Sequence, residues 1–287
     1  MDVEDRLAGR FEASRPRLRA MAYRMLGSLS DADDAVQEGW LHAARATARG
    51  GADDVANLEG WFTTIVGRVC LDMLRSRKSR REEPLDPDDA AVGGPEQEAM
   101  LADSVGLALL VVLDTLPPAE RVAFVLHDMF AVPFDDVATI LERSPEAVRQ
   151  LASRARRRVQ GTPAVPEADL ARRRDIVDRF LAAARSGDFA GLMAVLAPDV
   201  VFRDKGSAFT GPAREVHGAE AIAGEFVGRA NAARSALVEG AVGIVVAPGG
   251  RLLLVLEVAF AGDTISEIEV IADPDRLSAI QLAVLDA

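Results

Sequence analysis

Five arginines, Arg149, Arg154, Arg156, Arg157 and Arg158, crowd the stretch SPEAVRQLASRARRRV at residues 144–159 of a chain whose formal net charge is −12. Guanidinium groups at this density suit phosphate oxygens and the acceptor edges of bases, which they hold through a rigid fork of donors. The surrounding residues supply a scaffold for them. Ser144 is a helix cap, Pro145 suits the first helical position and Glu146 suits the positive end of the helix dipole. Val148, Leu151, Ala152, Ala155 and Val159 recur at helical spacing, and the arginines fall mostly off that stripe. Upstream, FDDVATILE forms a second short helix with Phe134, Val137, Ala138 and Leu141 on one side, and RSPE is the break between the two. Two short helices joined by a tight break, the second one basic, read as a helix-turn-helix whose second helix enters a DNA major groove. A solvated helix in a bundle has the same pattern, and this stretch alone does not choose between them.

Two further stretches carry polar chemistry. DADDAVQEGWL puts Asp33, Asp34, Gln37 and Glu38 on one helical surface, because residues three and four apart share a face. That surface is either a docking site for a basic partner or a plain solvated face. NLEGWFTTIVGRVCLDMLRSRKSRR combines Asn57 and Trp61 with Arg68, Arg75, Arg77, Lys78, Arg80 and Arg81. An aromatic beside a basic helix can bind single-stranded DNA, with phosphates on the cations and a base against the ring. The alternative puts Trp61 or Phe62 in the core. His42, His127 and His217 show no metal-ligand spacing, so no metal and no cofactor is expected.

The elements that must position these groups follow from composition and punctuation. The chain has 287 residues, of which 49% are hydrophobic, enough for about two cored domains on a prior of roughly 150 residues each. No run approaches the length of a membrane span. The N-terminus is charged and lacks an apolar signal core. Cys70, the single cysteine, excludes an internal disulfide, fits a cytoplasmic protein and lies on an apolar helical face where packing is expected. With so acidic a balance, any DNA contact must be local. Residues 1–81 read as an all-helical domain, with Ser30 as the expected cap of its second helix. Residues 82–104 hold eight acidic and no basic residues among prolines and glycines, an acidic linker. Residues 105–160 form a second helical domain ending in the helix-turn-helix, and 161–168 a short linker. Residues 169–287 read as α+β: helices first, then a mostly antiparallel sheet, with PGGR as the hairpin signal between GIVVA and RLLLVLEVAFA. LSAIQLAVLD is the expected final helix. DPDRL before it, Asp273 to Leu277, either caps that helix or forms a loop facing a neighbouring domain.

Taken in order, the acidic helix, the pattern W-x-x-x-I-x-x-x-x-x-x-D-x-x-R with its basic tail, the acidic linker, and LPPAERVAFVLHDMFAVPFDDVATILERSPEAVRQLASRARRRV resemble the two-domain core of an extracytoplasmic-function sigma factor. The resemblance covers roughly residues 11–160. It implies that Asp33, Asp34, Gln37 and Glu38 dock on the β′ coiled coil of core RNA polymerase, with the β flap as a second polymerase contact. Asn57, Trp61, Arg68, Arg75, Arg77 and Lys78 would open and read the minus-ten element. Arg149, Gln150, Ser153, Arg154 and Arg157 would read the minus-thirty-five element. The C-terminal block resembles SnoaL-like domains, small α+β cones, and a SigJ-like subgroup of sigma factors carries one. In that subgroup an NPDKL-type motif corresponds to DPDRL here, a DGGGK-type loop to DKGSA at Asp204 to Ala208, and a WLPEP-type linker motif to EPL at Glu83 to Leu85. The resemblance implies a regulatory, intramolecular interface through Asp204, Lys205, Asp273, Pro274, Asp275, Arg276 and Leu277. Enzymes with this cone fold use buried acids and histidines around a ligand pocket, so by the same resemblance Asp204, His217 and Asp273 can be read as pocket residues or as surface and capping residues. With a sigma core attached, the resemblance implies no catalytic residues and no enzyme, and leaves open a small-molecule ligand of the cone. The competing readings are a SnoaL-like cyclase or isomerase with an appended DNA-binding module, and an inert scaffold that dimerises through the cone.

Overall fold

The computed structural model describes residues 3–49, 55, 57–80, 106–207, 210–248 and 252–285. Arg81, the acidic linker 82–104 with its EPL motif, and Ala208 of DKGSA lie outside the described residues. The chain divides into two compact units, Met1–Leu101 with Leu116–Arg156, and Ala102–Thr115 with Arg157–Ala287.

The first unit opens with α1 (Val3–Leu26), α2 (Leu29–Thr47) and α3 (Leu58–Arg80), packed on one another. Phe11 is the hub, edge-on to Phe62 at 5.0 Å and tilted against Trp40 at 5.1 Å. Leu18, Met21, Met25, Val36, Val66 and Cys70 fill in around it. Gly39 lets α2 close on α3, since a Cβ there would lie 2.6 Å from Val66 Cγ2. The cap of α2 is Ser28 rather than Ser30: its hydroxyl accepts from the Asp31 amide at 3.3 Å. Gly27, at φ +74°, ends α1 with its amide on the Tyr23 carbonyl and delivers Ser28 in the extended conformation a cap needs. Asn57 caps α3, accepting from the Gly60 amide at 3.0 Å.

Burial pushes the Cys70 thiol up to about 12. Thiol reagents at pH 8 are therefore expected to label Cys70 more than about three orders of magnitude more slowly than a free cysteine, and at full rate only after denaturation. A timed labelling assay checks this; fast labelling of the native protein would place Cys70 outside the core.

The next helix, α4 (Leu107–Thr115), belongs to the second unit. The first unit resumes with α5 (Pro118–Phe124), a π-helical turn at Val125–Met129, α6 (Phe134–Leu141) and α7 (Pro145–Gln160), whose residues from Arg157 on belong to the second unit. Val137, Ala138, Ile140 and Leu141 of α6 and Val148, Leu151, Ala152, Ala155 and Val159 of α7 are buried, as the helical spacing requires. Between them Glu142 takes the left-handed conformation at φ 54°, and the Ser144 hydroxyl accepts from the Ala147 amide at 3.2 Å. Helix α6 also packs on α3. Ile140 faces Gly67, where a Cβ would sit 3.2 Å from its Cδ1, and Arg68 donates to the Thr139 carbonyl at 3.0 Å.

In the second unit α8 (Glu167–Ser186), α9 (Phe189–Val195) and α10 (Ala219–Phe226) accompany a seven-stranded sheet. Its strands are β1 (Leu196–Asp204), β2 (Arg214–His217), β3 (Ala233–Val238), β4 (Ala241–Val246), β5 (Leu254–Ala261), β6 (Thr264–Ile271) and β7 (Leu282–Ala283), in the order β2-β1-β6-β5-β4-β3-β7. Every pair is antiparallel except β1 with β6, so the α+β reading with a mostly antiparallel sheet holds. Phe180, Phe202 and Phe226 meet edge to face in the core with Leu192, Ile222, Ile244 and Ile268. The end of the chain differs from expectation. The last helix, α11 (Pro274–Ala279), starts earlier and stops sooner than LSAIQLAVLD, because Leu282 and Ala283 pair with Val238 and Leu237 instead. Helix α4 lies against β3 and β7. Its sequence, LALLVVLDT, has no polar face over Leu110–Leu113, and all four of those side chains are buried.

Candidate nucleic-acid interface

Arg149, Gln150, Ser153, Arg154 and Arg157 are all exposed along α7, opposite its buried stripe. The helix presents them as one continuous polar face while the apolar face holds it to the domain. The arginines differ in how they are held. Arg149 sits 3.3 Å from Glu146 and stacks on the Phe134 ring at 5.4 Å. Arg156 pairs with Asp128 of the π-helical turn. Arg154 Nε lies 3.3 Å from Oε1 of Glu120 on α5, a carboxylate only 8% exposed. Sequence reasoning missed Glu120. Helical spacing gives no signal for it, because Glu120, Arg121, Val122 and Ala123 of α5 are all buried and no polar face contrasts with an apolar one.

Asp33, Asp34, Gln37 and Glu38 are exposed together on α2, while Ala32, Ala35 and Val36 face inward. Arg19 of α1 pairs with Asp33 at 2.5 Å, and Glu38 lies 3.6 Å from His42. Asp34 and Gln37 lie between these pairs on the same surface.

The basic residues of α3 are arranged less simply. Arg68 is tied to Thr139. Arg77 donates to the Leu26 carbonyl at 2.7 Å and pairs with Asp31, so it braces α3 against the start of α2. Arg75 is exposed, 3.6 Å from Asp72, and Lys78 lies near the end of the helix. Phe62 is fully buried and Trp61 half-buried beside it, ring centres 5.7 Å apart, which divides core and surface roles between the two aromatics. Asn57 is exposed, with its side-chain oxygen engaged as the cap of α3.

In the second unit the two motif segments converge on a residue the sequence did not single out. Asp204 ends β1, 5% exposed, and accepts from the Gly206 amide at 2.9 Å and the Thr210 hydroxyl at 3.0 Å. Lys205 reaches Glu269 on β6 at 2.5 Å, and Arg276 of α11 lies 3.8 Å from the same carboxylate. The Lys205 hydrogen bond, with Arg276 and Arg203 adding charge, holds the Glu269 carboxyl below its ordinary range. Asp273 caps α11, accepting from the Arg276 amide at 2.9 Å, and Pro274 takes the first helical turn. Asp275 and Arg276 are exposed and Leu277 half-buried. The pocket reading finds no such convergence. His217 is exposed beside Glu215 and stands opposite Val201, three residues along β1 from Asp204, or about 10 Å at strand rise.

Comparisons with known proteins match both helical modules. The model for Sigma-70 region 2 matches residues 10–80, covering α1–α3, and that for Sigma-70 region 4 matches residues 106–159, covering α4–α7. SigJ of Mycobacterium tuberculosis, an ECF RNA polymerase sigma factor, is 42% identical over 202 residues, 67% of this chain and 62% of SigJ's own length. A probable ECF RNA polymerase sigma factor of the same organism, SigI, is 36% identical over 207 residues, 70% of each chain. The crystal structure of M. tuberculosis SigJ aligns over 94% of this chain and 98% of that one, at 32% identity and a TM-score of 0.45. With both helical modules matched in order and a relative 36% identical over 70% of each chain, this chain belongs to the extracytoplasmic-function RNA polymerase sigma factors.

Proposed function

We propose that this chain directs core RNA polymerase to promoters, with its α+β domain controlling that activity. The observation that carries the reading is the outward face of α7, where Arg149, Gln150, Ser153, Arg154 and Arg157 are exposed together at helical spacing. That face takes the minus-thirty-five element. Trp61, Arg75 and Lys78 on α3, with Arg68 once it leaves Thr139, take the minus-ten element. The acidic face of α2 docks on the β′ coiled coil, and the region-4 module takes the β flap. The work is cytoplasmic, and among the described residues no helix is long and apolar enough to cross a membrane. Free DNA is expected to bind weakly, because a net charge of −12 repels the backbone everywhere except at these faces. Glu269, with Lys205 and Arg276 on it, is the point through which the DKGSA and DPDRL segments act together in control.

The reading is tested on the acidic face. Asp34→Arg with Glu38→Arg reverses two exposed charges without touching the core. Retention on immobilised core polymerase is expected to drop about tenfold or more, a change of ~1.4 kcal/mol or more, with helix content unchanged. Undiminished retention of a folded double variant would remove the docking assignment.

A further inference from the structure

We infer that Glu120 is a positioning residue for promoter recognition: it holds Arg154 at the angle from which its guanidinium reads a base pair. The inference rests on α7 being the minus-thirty-five reader. Its own basis is the contrast between Arg149 and Arg154 on the outward face of that helix. Glu146, the partner of Arg149, is a neighbour on the same helix and 73% exposed, so water competes for both charges. Glu120 comes from a different helix, is 8% exposed, and lies in the buried stretch of α5 with Arg121, Val122 and Ala123. Its position is set by packing, not by solvent. A carboxylate in such a place needs cationic or hydrogen-bonding partners to offset its desolvation, and Arg154 supplies one at 3.3 Å.

The consequence falls on Arg154. Its side chain remains 51% exposed, so the anchored guanidinium is still available to a ligand. The contact uses the Nε edge and leaves the four Nη–H donors, enough for a two-pronged contact to the O6 and N7 acceptors of a guanine. Long arginine side chains lose rotamer freedom on binding, and a fork already fixed by a rigid carboxylate loses less. Glu120 also places a negative charge behind Arg154. An arginine half-neutralised in this way is less attracted to any phosphate and more dependent on the directional base contact. Glu120 therefore favours selectivity over general affinity.

The test uses full-length chain assembled with core polymerase, and transcription competition among promoters carrying every single-base change in the minus-thirty-five element. Arg154→Ala is expected to relax discrimination at one base pair by roughly 5- to 150-fold. Glu120→Gln, nearly isosteric, is expected to relax the same base pair and no other by about 3- to 10-fold, and the double variant to do no more than Arg154→Ala alone. If Glu120→Gln weakens all promoters alike, or adds in full to Arg154→Ala, Glu120 is only a structural residue and the inference fails. If Arg154→Ala itself changes no base pair, the assignment of α7 as reader fails first, a result visible in the single variant. Should Glu120→Gln lower the melting temperature, Glu120→Asp, which shortens the tether by one methylene, is read by the same criteria.

Discussion

Ending the chain after residue 165 is expected to unseat α4, not to release an intact sigma core. Helix α4 lies inside the segment matched to Sigma-70 region 4, yet it belongs to the second compact unit and packs on β3 and β7. Leu110, Val111, Val112 and Leu113 are at most 2% exposed. Exposing four such side chains costs about 1.5–3 kcal/mol each, an upper bound because a truncated chain re-collapses. That sum approaches the whole stability of a small domain. Hydrogen exchange of the α4 amides should therefore accelerate by two or more orders of magnitude in the truncated protein, while α1–α3 stay protected. Leu282→Asp on β7, buried against the same region, should reproduce the effect in the full-length chain. Equal α4 protection in all three proteins would show that the sheet does not hold the helix. Ending the chain before Asp273 is no cleaner, since it removes α11 and β7 together. Lys205→Ala and Arg276→Ala separate control from support: each loosens the Glu269 cluster and leaves the β3–β7 edge intact.

Much of this architecture was legible in the sequence because the decisive signals are local. The helix-turn-helix follows from two apolar stripes and a Ser144 cap, all within 26 residues, and the exposed face of α7 follows from that stripe by subtraction. The acidic face of α2 follows in the same way. What escaped depends on distant partners. LALLVVLDT has no polar side, so periodicity gives no direction and cannot say that the distant strands β3 and β7 cover it. LSAIQLAVLD has helical spacing, yet the unpaired edge of β3 takes Leu282 and Ala283 as a strand. Ser30 lost the cap to Ser28 because Gly27 ends α1 one residue before it. Among the candidate site residues, exposure was readable and occupancy was not. Arg68 and Arg77 are spent on the carbonyls of Thr139 and Leu26, contacts that span 71 and 51 residues.

The Arg68 contact leads to the other large expected effect, loss of transcription when α3 and α6 are locked together. Elements centred near minus ten and minus thirty-five lie about 25 base pairs apart, roughly 85 Å along B-form DNA at ~3.4 Å per pair. Helix α3 is proposed to serve the first, and the helix-turn-helix of α6 and α7 the second. In the structure α3 and α6 touch, with Ile140 over Gly67 and Arg68 on Thr139. No single rigid placement of that packed pair spans 85 Å, so the two modules must part before both elements are bound. Gly67→Cys with Ile140→Cys puts two thiols at that contact, where a Cβ added at Gly67 would lie 3.8 Å from Ile140 Cγ1, within reach of a disulfide. The native Cys70 is buried with its thiol pushed up to about 12, so it competes poorly for the bond. The oxidised variant should transcribe at less than about one-tenth of the wild-type rate and recover on reduction, since parting the modules would require breaking a covalent bond. The single-cysteine variants should show no redox dependence. Full transcription from the fully oxidised protein would mean that α3 and α6 stay together on the promoter, and the division of labour between them would have to be redrawn.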